Sequence, residues 1–89
     1  MITVMTQTPA IGRIVHLIGP YAVSNGADVA PAIITRVWSP EMVNVTAFPD
    51  CGGAQPATSV KLVADEEAAR AINAEAEYPQ SVAFWSPRV

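Results

Sequence analysis

The chain has 89 residues, of which 51% are hydrophobic and 15% charged, and its formal net charge is −3. A chain of this length folds as one small domain, residues 1–89, and its apolar fraction excludes an intrinsically disordered protein. The negative charge argues against binding to duplex nucleic acid. No apolar run reaches the roughly 18 residues of a membrane-spanning helix, and the N-terminus lacks the pattern of a secretion signal. We therefore expect a cytoplasmic protein that contacts no membrane.

Strands are predicted along most of the chain. Residues 1–10 alternate only weakly and are predicted as an edge strand or a loose tail. Runs of branched and alternating apolar residues predict five strands, at 11–18, 32–38, 42–48, 58–63 and within 82–89. The turn Ser39-Pro40-Glu41 is short, so the second and third strands should form an antiparallel hairpin.

One helix is predicted late in the chain. Residues 65–77 contain strong helix formers and neither Gly nor Pro, with Asp65 as the N-cap and Glu66 four residues before Arg70. Its apolar stripe consists mainly of alanine, which predicts a peripheral helix. The fold class is therefore mainly β: a small, partly open antiparallel β-barrel or curled sheet with one short late helix.

Oligomerisation follows from size. The single cysteine, Cys51, permits no internal disulfide, and a domain this small has a limited core. Exposed sheet edges and apolar patches favour association, so we expect a homo-oligomer.

Basic residues lie in or beside the predicted strands. The helix carries five acidic residues against one arginine, whereas Arg13, Arg36, Lys61 and Arg88 belong to the strands or their ends. An oligomer could gather these cations into a positive pocket although the whole chain is acidic. The simpler interpretation is that they are solvated strand residues.

Catalytic and metal-binding patterns are missing. His16 is the only histidine and has no cysteine at ligand spacing, so no metal site is expected. Cys51 lies in a Gly-rich loop, where an unpaired thiol is the simpler interpretation than a nucleophile activated by His16. The chain also has no Gly-rich phosphate loop followed by a helix. We expect no enzymatic activity and no cofactor.

Aromatic residues offer a second kind of binding group. Trp38 and Trp85 lie near strand ends, where an indole beside Arg36 or Arg13 could stack on a nucleobase-like ring. For Phe48 and Phe84, packing in the core is the expected role.

Short motifs in the first 60 residues resemble a group of small bacteriophage proteins of unassigned function. These motifs are Gly12-Arg-Ile-Val-His16, Pro31-Ala-Ile-Ile34, Val37-Trp38 and Val43-Asn-Val-Thr-Ala-Phe48 with Asp50. Later, Thr58-Ser59-Val60 and Phe84-Trp85-Ser86-Pro87 match the outline of those proteins, and the helix at 65–77 looks like an insertion. The resemblance implies a phage origin and a small β fold, and it supplies no catalytic residues. It also implies either a virion or assembly part or an inhibitor of host defence, acting in the host cytoplasm.

Three functions are compatible with the sequence. The first is a non-enzymatic oligomer that binds or sequesters a small anionic ligand, such as a nucleotide signal of host antiviral defence, between subunits. Its predicted ligand-binding residues are Arg13, His16, Arg36 and Trp38. Arg13 and His16 have opposite parity in one strand, so a pocket needs a bulge or faces from two subunits. The second is a virion, assembly or host-protein-binding module, and the third, an enzyme, lacks a catalytic constellation.

Overall fold

The computed structural model of the protein describes residues 7–78 and 80–85. In chain order the elements are β1 (Ile14–Ile18), β2 (Val29–Ser39), β3 (Met42–Ala47), β4 (Gln55–Val63), α1 (Glu66–Glu75) and β5 (Val82–Phe84). The predicted β2–β3 hairpin is present. Of the predicted N-terminal strand or tail, residues 1–6 lie outside the described part, as do residues 86–89, including Arg88.

The five strands form a closed barrel in the order β1-β2-β3-β4-β5, with β5 returning to pair with β1. This confirms the predicted mainly-β fold, a small barrel with one late helix. All neighbouring strands are antiparallel except β4 and β5, which are parallel. Parallel strands cannot be joined by a tight turn, and α1 provides the crossover connection between them. The helix is thus part of how the barrel closes.

The interior of the barrel is apolar. Side chains alternate inward along the strands except at the register shifts in β2 and β4, and the inward set is fully or nearly fully buried. Its largest members are Val15, Leu17, Ile34, Val43, Val45, Val60, Leu62 and Trp85. Ala22, from the loop between β1 and β2, also belongs to this cluster, so part of that loop closes the barrel.

A second apolar cluster lies outside the barrel, between α1 and the sheet. It contains Ile18, Ala69, Val82 and Phe84, with Ile72 packed at its margin. Ala69 has no exposed surface. The small alanine side chain lets the helix lie close to the sheet, as the stripe predicts, but the helix also covers Phe84. The helix therefore lies outside the barrel but contributes to the buried apolar core.

Local signals that were predicted for the helix are present. The Asp65 carboxylate accepts a hydrogen bond from the Ala68 backbone N–H at 2.9 Å, which makes Asp65 the N-cap. Arg70 forms an ion pair with Glu66 one turn earlier, at 2.9 Å. Neither α1 nor any other helix within the described residues has the length and apolar character needed to cross a bilayer.

The loop over residues 19–28 is fixed against the loop after β3. The Ser24 hydroxyl donates to the Cys51 carbonyl at 2.8 Å and accepts from the Cys51 backbone N–H at 3.0 Å. Asn25 donates to the Asp50 carboxylate at 2.9 Å. These three hydrogen bonds, together with the burial of Ala22, hold a long connection in one conformation.

Candidate ligand-binding surface

The outer face of β2 changes its side-chain pattern near residue 35. Before that point Ala32 and Ile34 point into the barrel, so strict alternation would also place Arg36 inside. The register against β3 shifts between Ile34 and Arg36, and Val37 then packs against the core. A bulge adds one residue and reverses the alternation. As a result, Arg36 and Trp38 lie on the outer face.

Arg36 and Trp38 are in direct contact. The Arg36 guanidinium carbon lies 4.0 Å from the centre of the Trp38 ring, which is a cation–π contact. Trp38 is 52% exposed, so this contact leaves much of the indole open. The Trp38 Nε1–H donates to Asn44 Oδ1 at 2.8 Å. The indole is therefore held in one orientation by an arginine and by an amide.

Asn44 also ties this surface to the next strand. Its Oδ1 accepts a second hydrogen bond, from the Ser59 backbone N–H at 2.8 Å. Ser59 has a φ of 54°, an unusual conformation for a residue other than glycine. The same amide oxygen therefore fixes an indole on β2 and an irregular residue on β4.

One further cation lies on this face. Lys61 of β4 is exposed and pairs in register with Met42 of β3, next to the Arg36–Asn44 pair. We call the set of Arg36, Trp38, Asn44 and Lys61 the cation–aromatic surface. Within the described residues, both ion pairs are formed by Arg70, so neither Arg36 nor Lys61 is neutralised by a carboxylate there. The surface is positive on a chain that is acidic as a whole.

Arg13 lies elsewhere, just before β1. Its guanidinium carbon is 5.0 Å from the centre of the Trp85 ring, and it donates to Gln7 Oε1 at 2.8 Å. Because Trp85 belongs to the barrel core, Arg13 covers the edge of that core. The backbone carbonyl of Arg13 accepts from Ile34 N–H at 2.9 Å, so the residue is anchored to β2 through its main chain.

His16 lies in a third environment. It is half-buried on the outer side of β1, in register with Pro31 on one side and Phe84 on the other. Its ring meets Phe84 edge-on, with ring centres 5.5 Å apart. Among the described residues, no hydrogen bond or ring contact joins His16 or Arg13 to the Arg36–Trp38 pair. One subunit thus brings together two of the four predicted residues.

Two other expectations about single residues have clear outcomes. Phe48, expected in the core, is 44% exposed, so that prediction was wrong. Its backbone N–H bonds to the Pro31 carbonyl at the end of the β2–β3 hairpin, where the outer face is open. Cys51 is a free, exposed thiol whose backbone is hydrogen-bonded to Ser24.

Over residues 7–78 and 80–85, no three His, Cys, Asp or Glu side chains lie close enough together to hold a metal ion.

Asn44 is the site residue that sequence reasoning missed. An asparagine in the middle of an alternating apolar strand could have indicated a special role for this residue, because asparagine is depleted from strands. Its role depends on contacts with β2 and β4 that a single strand does not reveal.

Comparisons with protein-family models, curated proteins and solved structures give no significant match to this chain.

Proposed function

We propose that this chain is a non-enzymatic binding module that takes a small anionic ligand with a flat ring, such as a nucleotide, on the cation–aromatic surface. The observation that carries this proposal is the stacking of Arg36 on the half-exposed ring of Trp38, with no carboxylate partner for Arg36 in the described structure. This surface therefore holds both a cation for the ligand's negative charge and an aromatic plane for its ring.

The chemistry of the pair suits a phosphate joined to an aromatic ring. A guanidinium stacked on an indole keeps its N–H groups directed outward in its own plane, where they can donate two parallel hydrogen bonds to a phosphate. The open part of the Trp38 ring offers a plane for a base. Lys61 adds a second positive charge on the same face.

Association of two copies would complete this site. Ile14 and Ile33 are directly opposite each other on β1 and β2, and they are 60% and 37% exposed. Ile33 is on the same outer side of β2 as Arg36. We propose that a second copy covers this apolar pair in a homo-oligomer, because burial of exposed isoleucine is favourable. Arg13 and His16 would then reach the ligand only from a neighbouring subunit.

A biological role follows from this chemistry together with the resemblance to small phage proteins. A non-enzymatic protein that binds a nucleotide between subunits removes it from solution. We propose that it sequesters a nucleotide signal of host antiviral defence in the host cytoplasm.

Calorimetry with a panel of cyclic and linear nucleotides tests the binding function. We expect at least one nucleotide to bind the wild type, and Arg36→Gln to lose about tenfold or more in affinity because one charge-assisted contact is removed. The control is Ala71→Glu, which lowers the net charge equally on the exposed side of α1. Absence of wild-type binding at millimolar nucleotide would eliminate the proposal and favour a protein-binding module.

Light scattering after size exclusion tests the association separately. The molar mass of the wild type should be a multiple of the 9.4 kDa of one chain. Ile33→Lys should shift it toward the monomer, since a charge would be buried at the contact. Ala71→Lys is the control for added charge, at an exposed position of α1 outside this face. A wild-type monomer at micromolar concentration would contradict the oligomer and the shared site.

A further inference from the structure

We infer a second binding site, for a small organic cation with an apolar body, in the cavity between the loop over residues 19–28 and α1. The cavity has a volume of about 300 Å³. Ile18, Pro20 and Val23 provide its apolar lining, and Asp28, Arg70 and Asn73 its polar lining. It lies away from the cation–aromatic surface and does not depend on the function proposed there.

Both walls of this cavity are fixed. The loop is held by the burial of Ala22 and by the hydrogen bonds of Ser24 and Asn25 to the loop after β3. The helix is held by Ala69 in the second apolar cluster. A cavity between two fixed walls can bind a ligand without first ordering the chain, which lowers the entropic cost of binding.

Two residues of the cavity lining, Gly19 and Asn73, contact residue 80. Asn73 donates to the Gln80 carbonyl at 3.0 Å and accepts from the Gln80 backbone N–H at 2.9 Å. Gly19 lies so close to this segment that an added Cβ would be 2.5 Å from the Gln80 oxygen. The Asn73 amide is therefore committed to the backbone, and the groups left for a ligand's polar end are Asp28 and Arg70.

At the mouth of the cavity, the lining residues Asp28 and Arg70 belong to an ionised cluster whose net charge is negative once Glu66, which lies outside the lining, is counted. Arg70 donates to both oxygens of Asp28, at 2.9 and 3.2 Å, and also to Glu66. Two carboxylates share one guanidinium, which leaves one net negative charge. The carboxylates also keep acceptor sites, whereas four of the five guanidinium N–H groups are already used. The mouth accepts hydrogen bonds and favours a cation.

These features select the class of ligand. An amine can donate to Asp28 while a hydrocarbon body lies against the exposed side chains of Pro20 and Val23. An anion of the same shape meets an excess of carboxylate, and a neutral alcohol loses the charge attraction. The preference should be amine over alcohol over acid, opposite in sign to that of the cation–aromatic surface.

The test is an NMR titration of ¹⁵N-labelled full-length protein with phenethylamine, 2-phenylethanol and 3-phenylpropionate. We expect phenethylamine to shift the amides of Val23, Asp28 and Asn73, with an affinity about fivefold higher than that of the alcohol. Asp28 is 63% exposed, so added salt should reduce this preference.

Three variants test whether binding occurs in this cavity. Asp28→Asn should abolish the preference for amine over alcohol, whereas Glu67→Gln, which removes an exposed carboxylate of α1 outside the cavity, should keep it. Val23→Trp should block all three probes, because Val23 is exposed at the cavity and a larger side chain fills it without disturbing the core. Equal affinities of the wild type for amine and alcohol, or chemical-shift changes confined to other residues, would overturn the inference.

Discussion

Phe84 and Trp85 are consecutive in the chain but are buried in two different apolar clusters. Phe84 packs under α1 outside the barrel, and Trp85 packs inside the barrel. This follows from the alternation of a β-strand, which sends neighbouring side chains to opposite faces. The end of β5 therefore joins the helix to the barrel through two adjacent residues.

Substitution of these two residues should affect different parts of the molecule. Phe84→Ala and Trp85→Ala should each lower the free energy of unfolding by about 3–5 kcal/mol, as is usual for large buried aromatics. Phe84→Ala should raise amide exchange first in α1, and Trp85→Ala should raise it across the barrel strands. Urea unfolding with hydrogen exchange measures both effects. The same exchange pattern in both variants would mean that the two clusters unfold as one unit.

Enlarging an alanine of α1 tests how closely the helix packs. Ala69 is fully buried and Ala71 is exposed on the same helix. Ala69→Leu should cost about 1–3 kcal/mol because the added methyl groups have no space. Ala71→Leu should change stability little, so a comparison of the two urea unfolding curves isolates packing from helix propensity. Equal stability of the two variants would indicate a loosely attached helix.

Gly19 and Gly26 form a second matched pair. Both have positive φ, +120° and +88°, so alanine at either position is strained, at a cost of about 1–2 kcal/mol. Only at Gly19 does an added Cβ meet backbone, and at Gly26 nothing lies within 4 Å of it. Gly19→Ala should therefore be less stable than Gly26→Ala by about a further 1 kcal/mol or more. Thermal unfolding of both variants checks this, and a reversed order would contradict the close approach of residues 19 and 80.

Asp28 should titrate below its ordinary range. Hydrogen bonds from Arg70, followed by the charge of Arg70, lower the pKa of the Asp28 carboxyl. A lowered pKa in the folded state means that the ion pair contributes above the unfolded-state pKa of about 3.9. That contribution is lost as the pH falls through the lower folded value. Carboxyl ¹³C NMR should show the low pKa in the wild type and an ordinary one in Arg70→Gln, and an unchanged pKa in that variant would exclude Arg70 as the cause.

Much of the secondary structure could be predicted from local sequence. The alternation in β3 and the short turn before it predict the hairpin, because both depend on neighbouring residues. The helix and its N-cap Asp65 are local in the same sense: the cap bond spans three residues. The sequence also shows that Arg36 is basic and Trp38 aromatic, which made both residues candidates for ligand binding.

Tertiary structure decided which residues meet. The bulge before Arg36 exists only because β2 pairs with β3 in a shifted register, and it turns Arg36 and Trp38 outward. Asn44 gains its role from contacts with two other strands, and Arg70 meets Asp28 across 42 residues of chain. Closure of the barrel by a parallel β5 likewise depends on a crossover that no strand encodes by itself. Local periodicity sets where strands and helices form, whereas register, bulges and long-range pairs arise only when the whole chain packs.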